Sequence, residues 1–588
     1  MFFFLKDNKF TRTLSSFLTV FGFSLVFGFM PAGQLLAERQ AAIIDYSSIH
    51  HPVVGREGMV VSQSRLASEV GAEILRKGGN AVDAAVAVGL ALAVTLPRAG
   101  NLGGGGFMMV YLAEEQKTIA IDYREMAPKA AHRDLFLNKN GNVDHKKARF
   151  SLLSAGVPGT PAGLHHALQN YGTMSWQEVI EPAIELAEKG ITVSFDLAHN
   201  LKSRLHLRFY KATCEAYFKT DCAPYEAGET LIQEELAWSL TQLRDHGPDA
   251  FYKGAIADKI VAEMKRSGGL ITKEDLAAYT VREREPVRGT FHGYDIISMP
   301  PPSSGGVHII QMLNMLEQFD LEKTGPNSAA TIHILAEVMK RAYADRSKYL
   351  GDPDFTEVPV KGLTHKAYAR ELAAQIRACC ITPSSDIQPG AASKYESPDT
   401  THYSVMDKWG NVVSNTYTLN FSYGSGITIP GTGILMNNEM DDFSAKPGVP
   451  NAFGLLGGDA NAIEPGKRPL SSMTPTIVLK DGKPYLVTGS PGGSRIISTV
   501  LQTLINVLVY DMNVAEAVSR PRMHHQWMPD ILFVEPGFNP DTLHLLEKMG
   551  YTLRQTSTMG SVQSIQYRDG LFFGGSDPRR PGAGAVAP

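Results

Sequence analysis

Two hydrophobic periods alternate along this chain. From Ser64 to Leu96 apolar residues recur at helical spacing, break at Gly78-Gly79-Asn80, and resume in the run Ala84–Leu96 with no charged residue. The pattern predicts two helices. The first is stopped by Gly and Asn, which readily adopt the left-handed conformation that ends a helix, and the second is buried on every side. "NLGGGGFMMVYLAEEQKTIAIDYREMAP" then reads as a loop followed by two strands, with Asp122, Tyr123 and Arg124 at the exit of the second. Residues 155–290 alternate helical patterns with Pro and Gly breaks, and "PPPSSGG" at 300–306 is a loop that opens a helix. No repeat of 20 to 50 residues is visible. Residues 383–399, "PSSDIQPGAASKYESPD", have the composition of an exposed, mobile linker. Beyond them strands and glycine loops dominate, including two strands joined at Asp481-Gly482 and followed by a helix.

The linker runs directly into "PDTTHYSVMDKWGNVVSNTYTLNFSYG" at 398–424. Residues 401–406 and 412–419 have strand composition, and Asp407 to Asn411 form a plausible hairpin loop. If Met406 pairs with Val412, Thr400 lies opposite Thr418, within hydroxyl-to-hydroxyl reach on one face of the sheet. That face collects Thr400, His402, Ser404, Ser414, Thr416, Thr418 and Asn420, whereas Tyr403, Val405, Val413, Tyr417 and Leu419 share the other. Solvent explains a polar face by itself. The position after a flexible linker raises an alternative. A threonine hydroxyl can attack the preceding carbonyl, and hydrolysis of the resulting ester frees that threonine as a new N-terminus. Its α-amine, with a pKa of about 7.7–8.0, is then a general base on the same residue as the nucleophilic hydroxyl.

Charge and composition narrow the function classes. Lysine and arginine total 56 against 60 acidic residues, so no net field favours nucleic acid. Lys6, Lys9 and Arg12 precede an apolar run from Phe17 to Met30 and then small residues, the order of a secretory signal over residues 1–37. The run is shorter than the roughly 20 residues of a membrane span. Cysteines 214, 222, 379 and 380 lack C-x-x-C spacing, which leaves no thiolate zinc site; a Cys214–Cys222 bridge and two unpaired thiols both remain open. The doublets His50/His51, His165/His166 and His524/His525 lack the i, i+4 spacing of a metal-binding face. No cofactor or metal is expected. "GSPGGSR" lacks the Gly-Lys-Ser/Thr ending of a phosphate loop, and "GNLGGGGF" lacks G-x-G-x-x-G spacing.

Read together, "TTHYSV", "TYTLN", "NNEMDDFSAKPGVPN", "GGDANAIEPGKRPLSSMTPT" and "VTGSPGGSRI" resemble the small subunit of the bacterial γ-glutamyltranspeptidases, and "GGNAVDAAVA", "AGNLGGGGFM" and "DYREMAP" resemble their large subunit. The resemblance runs from about residue 55 to the end. It implies an α+β fold, the four-layer αββα sandwich of the N-terminal nucleophile hydrolases, with two stacked, mainly antiparallel sheets flanked by helices. It also implies self-cleavage between Asp399 and Thr400 into a large subunit, 38–399, and a small subunit, 400–588, which form one intertwined heterodimer. Thr400 falls on the nucleophile, Thr418 on the threonine that contacts it, and Gly492 and Gly493 on the oxyanion donors. Arg124, Ser471 and Ser472 fall on the residues for the substrate's α-carboxylate. Asn420, Glu439 and Asp442 fall on those for its α-ammonium. The implied donors are glutathione and other γ-glutamyl compounds, with water, amino acids or dipeptides as acceptors. Two positions depart from the best-known members: Glu439 replaces a glutamine, and Phe453, in the loop resembling the lid, replaces a tyrosine. The same architecture also serves glutaryl or cephalosporin acylases and poly-γ-glutamate hydrolases, and an exported protein that binds glutathione without chemistry is the remaining reading. A glutaryl group has no ammonium to satisfy Glu439 and Asp442.

Overall fold

In the computed structural model, which describes residues 48–390, 401–446 and 459–588, the first helical pattern becomes helices Arg65–Arg76 and Ala81–Thr95. Asn80 caps the second helix rather than ending the first. Its side chain accepts from the amides of Val82 and Asp83, and the Asp83 carboxylate accepts from the Asn80 amide at 2.7 Å. This reciprocal pairing satisfies donors that a helix start leaves open. Asp407, in the hairpin turn, accepts from the Ala81 amide at the same helix end. Every residue from Ala81 to Val94 is buried, as the unbroken apolar run predicts. A side chain at Gly71 would meet the Val88 side chain at 2.6 Å, so the backbone of the first helix lies directly against the side chains of the second.

Two seven-stranded sheets form the centre, and all neighbouring strands in both are antiparallel. The first runs Gly584–Val586, Gly58–Ser62, Thr401–Asp407, Val412–Thr418, Gly105–Leu112, Lys117–Tyr123 and Arg282–Arg284. The second runs Val53–Gly55, Leu571–Ser576, Gln563–Arg568, Lys483–Thr488, Thr476–Lys480, Tyr294–Ser298 and Val287–Phe291. Helices between residues 65 and 267 bury their apolar faces against Val60, Val110, Tyr403 and Val413 of the first sheet. Gly305–Leu316, Ala329–Tyr349 and Arg495–Leu508 cover the second sheet. This is a helix, sheet, sheet, helix stack, the mixed α+β architecture expected. Both sheets combine strands from before and after residue 400. None of the described helices is long and apolar enough to cross a membrane.

The hairpin has the predicted register, with Met406 opposite Val412 and Thr401 opposite Tyr417. The polar face is not solvated: His402, Ser404, Ser414 and Thr416 are fully buried. They face the second sheet, where Ser404 Oγ donates to the Gln563 carbonyl at 2.9 Å and Ser414 Oγ to the Thr488 carbonyl at 3.2 Å. His402 lies between the hydroxyls of Thr416 and Ser404, and burial pushes its pKa down to about 3, leaving a neutral ring. Hydrogen bonding across the sheets thus replaces the water that the strand pattern alone would invoke.

The linker reading is corrected over its first half. Ser384 donates from its amide and hydroxyl to Asp530 at 2.8 and 2.7 Å, and Trp527 Nε1 donates to the carbonyls of Ser384 and Ile387. The Gly390 amide donates to Asp345. Residues 383–390 are therefore pinned by side chains far away in sequence. Cys214 and Cys222 are bonded, with Cα atoms 5.4 Å apart. The predicted leader over 1–37, the rest of the linker with Asp399 and Thr400, and the loop containing Phe453 lie outside the described residues.

Candidate active site

Strand Lys117–Tyr123 ends at Arg124, which is fully buried rather than a surface charge. The short 3-10 turn Glu439–Asp442 brings two carboxylates to it. Arg124 Nη2 donates to Asp442 at 2.5 Å and Nη1 donates to Glu439, with Glu125 at 3.4 Å from the same nitrogen. Nε donates to the Pro469 carbonyl at 3.2 Å, two residues before Ser471. Burial alone would lower the arginine's pKa, but the three carboxylates outweigh it and hold the guanidinium charged.

One cation thus faces three buried acids. Desolvation raises the Glu439 carboxyl well above its usual range, and Arg124 offsets only part of that because Glu125 and Asp442 repel it. Glu125 is pushed up to about 7, again chiefly by burial. Neighbouring Asp441, 3.7 Å from Arg149, also reaches about 7 through burial. Among the described residues, Glu439 Oε2, Glu125 Oε1 and Asn420 Oδ1 are buried without a partner. Such acceptors are costly unless a donor arrives. The cluster holds more acceptors than donors of its own.

Asn420 has a left-handed backbone, φ 75°, where the hairpin strand ends. Its amide donates to Thr418 Oγ1 at 2.8 Å and its side chain donates to the Asn438 carbonyl, which places Oδ1 beside the start of the acidic turn. The glycine run before strand Gly105–Leu112 serves this corner. A side chain at Gly104 would strike the Thr418 carbonyl at 1.9 Å, and that carbonyl accepts from Asn101 Nδ2 at 2.9 Å. Close backbone packing, not nucleotide binding, explains "GNLGGGGF".

Ser471 and Ser472 are buried on the segment that follows Pro469. Ser471 Oγ accepts from the Met473 amide, and Ser472 Oγ accepts from Arg346 Nη2 at 2.6 Å. Arg346, whose Nε also donates to Ser304 Oγ at 2.9 Å, is a second buried guanidinium that the sequence pattern did not single out. Read alone, "RAYADRSKY" is a charged helix end, and no local signal marks Arg346 as interior. Gly492 and Gly493, φ 135° and 64°, form the turn before helix Arg495–Leu508. Their amides find no acceptor among the described residues. The structure therefore joins Arg124, Glu439 and Asp442 directly and places Asn420 and the serines on flanking segments. The glycine pair sits at the opposite sheet, and the placement of Thr400 is not described.

Stacked antiparallel sheets between helical layers, with this cluster at one end of the central hairpin, define an N-terminal nucleophile hydrolase fold. Residues 67–587 match the model of the gamma-glutamyltranspeptidase family, and the chain belongs to that family. It is 56% identical over 533 residues to the glutathione hydrolase proenzyme of Escherichia coli strain K12, covering 90% of this chain and 92% of that protein. The crystal structure of a cephalosporin acylase from Bacillus halodurans superposes with a TM-score of 0.83 at 27% identity, over 92% of this chain and 98% of that one. A chain of Helicobacter pylori gamma-glutamyltranspeptidase matches at 46% identity and TM-score 0.55, covering 97% of itself but 59% of this chain.

Proposed function

We propose that this protein is a self-cleaving γ-glutamyltranspeptidase acting on glutathione and related γ-glutamyl compounds. The observation that carries the reading is the buried guanidinium among three carboxylates. Arg124, with Ser471 and Ser472 alongside, suits an α-carboxylate, while Glu439, Asp442 and the open Asn420 Oδ1 suit an α-ammonium. Only an acyl group shaped like an amino acid uses both signs of charge, which favours it over the glutaryl group of an acylase.

In this reading the Thr400 hydroxyl adds to the γ-carbonyl carbon and its proton passes to the Thr400 α-amine. Gly492 and Gly493 amides stabilise the oxyanion, and the Thr418 hydroxyl orients the nucleophile. The C–N bond breaks and the leaving amine takes the proton. Water or an acceptor amine then attacks the ester, the C–Oγ bond breaks, and Thr400 recovers its proton. The precursor's own cut at Asp399–Thr400 exposes the α-amine. Export by the leader, 1–37, and a heterodimer of 38–399 with 400–588 complete the proposal. The proenzyme name of the Escherichia coli relative supports the cut, as does a Helicobacter pylori chain that spans only 59% of this one.

Intact mass and N-terminal sequencing of the wild type beside Thr400→Ala test this. The expected result is two wild-type chains, the smaller beginning Thr-Thr-His-Tyr, with glutamate released from glutathione, and an uncut, inactive variant. An uncut wild type that binds glutathione without releasing glutamate would replace this reading with the binding protein.

A further inference from the structure

Two segments without a single acidic residue, 145–150 and 197–214, meet at one surface of the protein. The second contains the 3-10 helix Leu205–Phe209. Leu207 is buried, so the other positions of that turn stand on its outer edges. A 3-10 helix has roughly three residues per turn and side chains three apart eclipse, which sets Leu205 over Arg208 and His206 over Phe209. The Phe150 ring meets His206 edge-on at 5.9 Å, and Tyr210 Oη donates to the Phe150 carbonyl at 3.1 Å. The two segments therefore present one continuous face.

This face is apolar and cationic at once. Phe209 is 80% exposed, Phe150 48% and Leu205 39%. Apolar side chains exposed singly are ordinary, but three large ones gathered on one face mark an interaction surface. Lys202 and Lys211 are answered by Glu226 and Glu215, whereas Lys146, Arg204 and Arg208 pair with no carboxylate among the described residues. Asp144, the nearest acid in sequence to Lys146, caps the helix His145–Arg149 by accepting from the amides of Lys146 and Lys147. The charge of the face thus calls for an anionic partner. Its shape narrows the choice: a ring standing so far out on a convex turn offers a folded protein no pocket to fill, whereas acyl chains close around it.

We propose that this face docks on an anionic phospholipid surface. Phe209, Phe150 and Leu205 enter the boundary between headgroups and acyl chains, and Lys146, Arg204 and Arg208 lie against the lipid phosphates. None of the described helices is long and apolar enough to span a membrane, so the docking is peripheral and reversible. Arg149, beside Phe150, lies 3.7 Å from Asp441 and over the Phe421 ring, which puts the docked face at the border of the candidate site. The proposal does not depend on the catalytic reading.

The test is vesicle co-sedimentation of the exported form, without the leader 1–37, whose own apolar run would bind lipid. Two vesicle types are compared, phosphatidylcholine alone and an equal mixture of phosphatidylcholine and phosphatidylglycerol. The expected partition coefficient is about tenfold or more higher on the anionic vesicles and falls with added salt. Phe209→Ser should lower it by about tenfold, the loss of one buried phenylalanine side chain, and Arg208→Glu by a similar factor. Both side chains are exposed, so the thermal midpoints should match the wild type, and if one variant fails to fold the other still decides. Equal partition to the two vesicle types, or undiminished partition in either folded variant, would overturn the proposal. A wild-type dimer in solution that Phe209→Ser converts to monomer would overturn it too, by assigning the face to a second copy of the chain.

Discussion

The Arg124 cluster and the cluster around Arg522 are both dry and both built on a buried arginine, yet only one is complete. Arg522 donates to Asp577, to the Val518 carbonyl and to the Met559 carbonyl, each at 2.6 Å. Arg579 donates to both Glu535 oxygens and to Asp577. The remaining carboxylate capacity is taken by the amides of Arg522, Met559 and Val562. Two cations meet two anions, and none of their side-chain nitrogens or oxygens is left buried and unpartnered. Around Arg124, one cation meets three carboxyl groups and open oxygens remain. A balanced, saturated network clamps structure: here it holds Met559–Val562, from which the Ser561 amide donates to Ser490 Oγ beside the Gly492 turn. An unbalanced one leaves acceptors open, as the proposed ligand site requires.

The largest expected effect tests the closed cluster. Arg522→Met takes one of the two arginines from Asp577 and the side-chain donors from the Val518 and Met559 carbonyls, and should cost about 3–5 kcal/mol, the penalty of breaking a buried pair, read from the denaturant midpoint. Arg124→Met should cost less stability, because carboxyls already raised by burial neutralise themselves by taking up protons. Its main effect should be on catalysis, with kcat/KM for a γ-glutamyl donor falling about 100-fold through loss of charge-assisted contacts. The reverse order, Arg124→Met being the less stable variant, would break the distinction between clamp and receptor.

The smallest effect is a pH dependence. Glu125 and Asp441, raised by burial to about 7, are largely protonated below neutrality and then attract an ammonium weakly. Donor KM should therefore fall as pH rises from about 6 to 8, and Glu125→Gln should flatten that limb by a few-fold. The sign for stability is opposite. Below about pH 4 the carboxyls are protonated in both states, and as pH rises the unfolded chain releases these protons first. The unliganded fold is consequently stabilised at low pH and loses that contribution as pH climbs through 7. A wild-type KM independent of pH would remove the acids from ligand binding.

Much of this was legible in the chain. A turn from Asp407 to Asn411 between two period-2 segments determined the hairpin register, and an uninterrupted apolar run determined the buried helix Ala81–Thr95. Resemblance of motifs placed Arg124, Glu439 and Asp442 in one site, though not in direct contact with one another. The burial of Arg124 was not legible either, since a charge after a strand carries no local mark of the turn, more than 300 residues later, that encloses it.

Sequence alone determined the local periods, the caps and turns, and which residue types occupy the site, because those depend on neighbours within a few positions. Tertiary structure decided where each polar group finds its partner. The polar face of the hairpin became an interior because strands ending at Thr488 and starting at Gln563 supply its acceptors. Residues 383–390 became fixed because Asp345, Trp527 and Asp530 reach them. Arg346 came to Ser472, and Gln63 to Thr401, across 126 and 338 residues. Burial and hydrogen bonding are satisfied in space, and no period along the chain encodes a partner that distant.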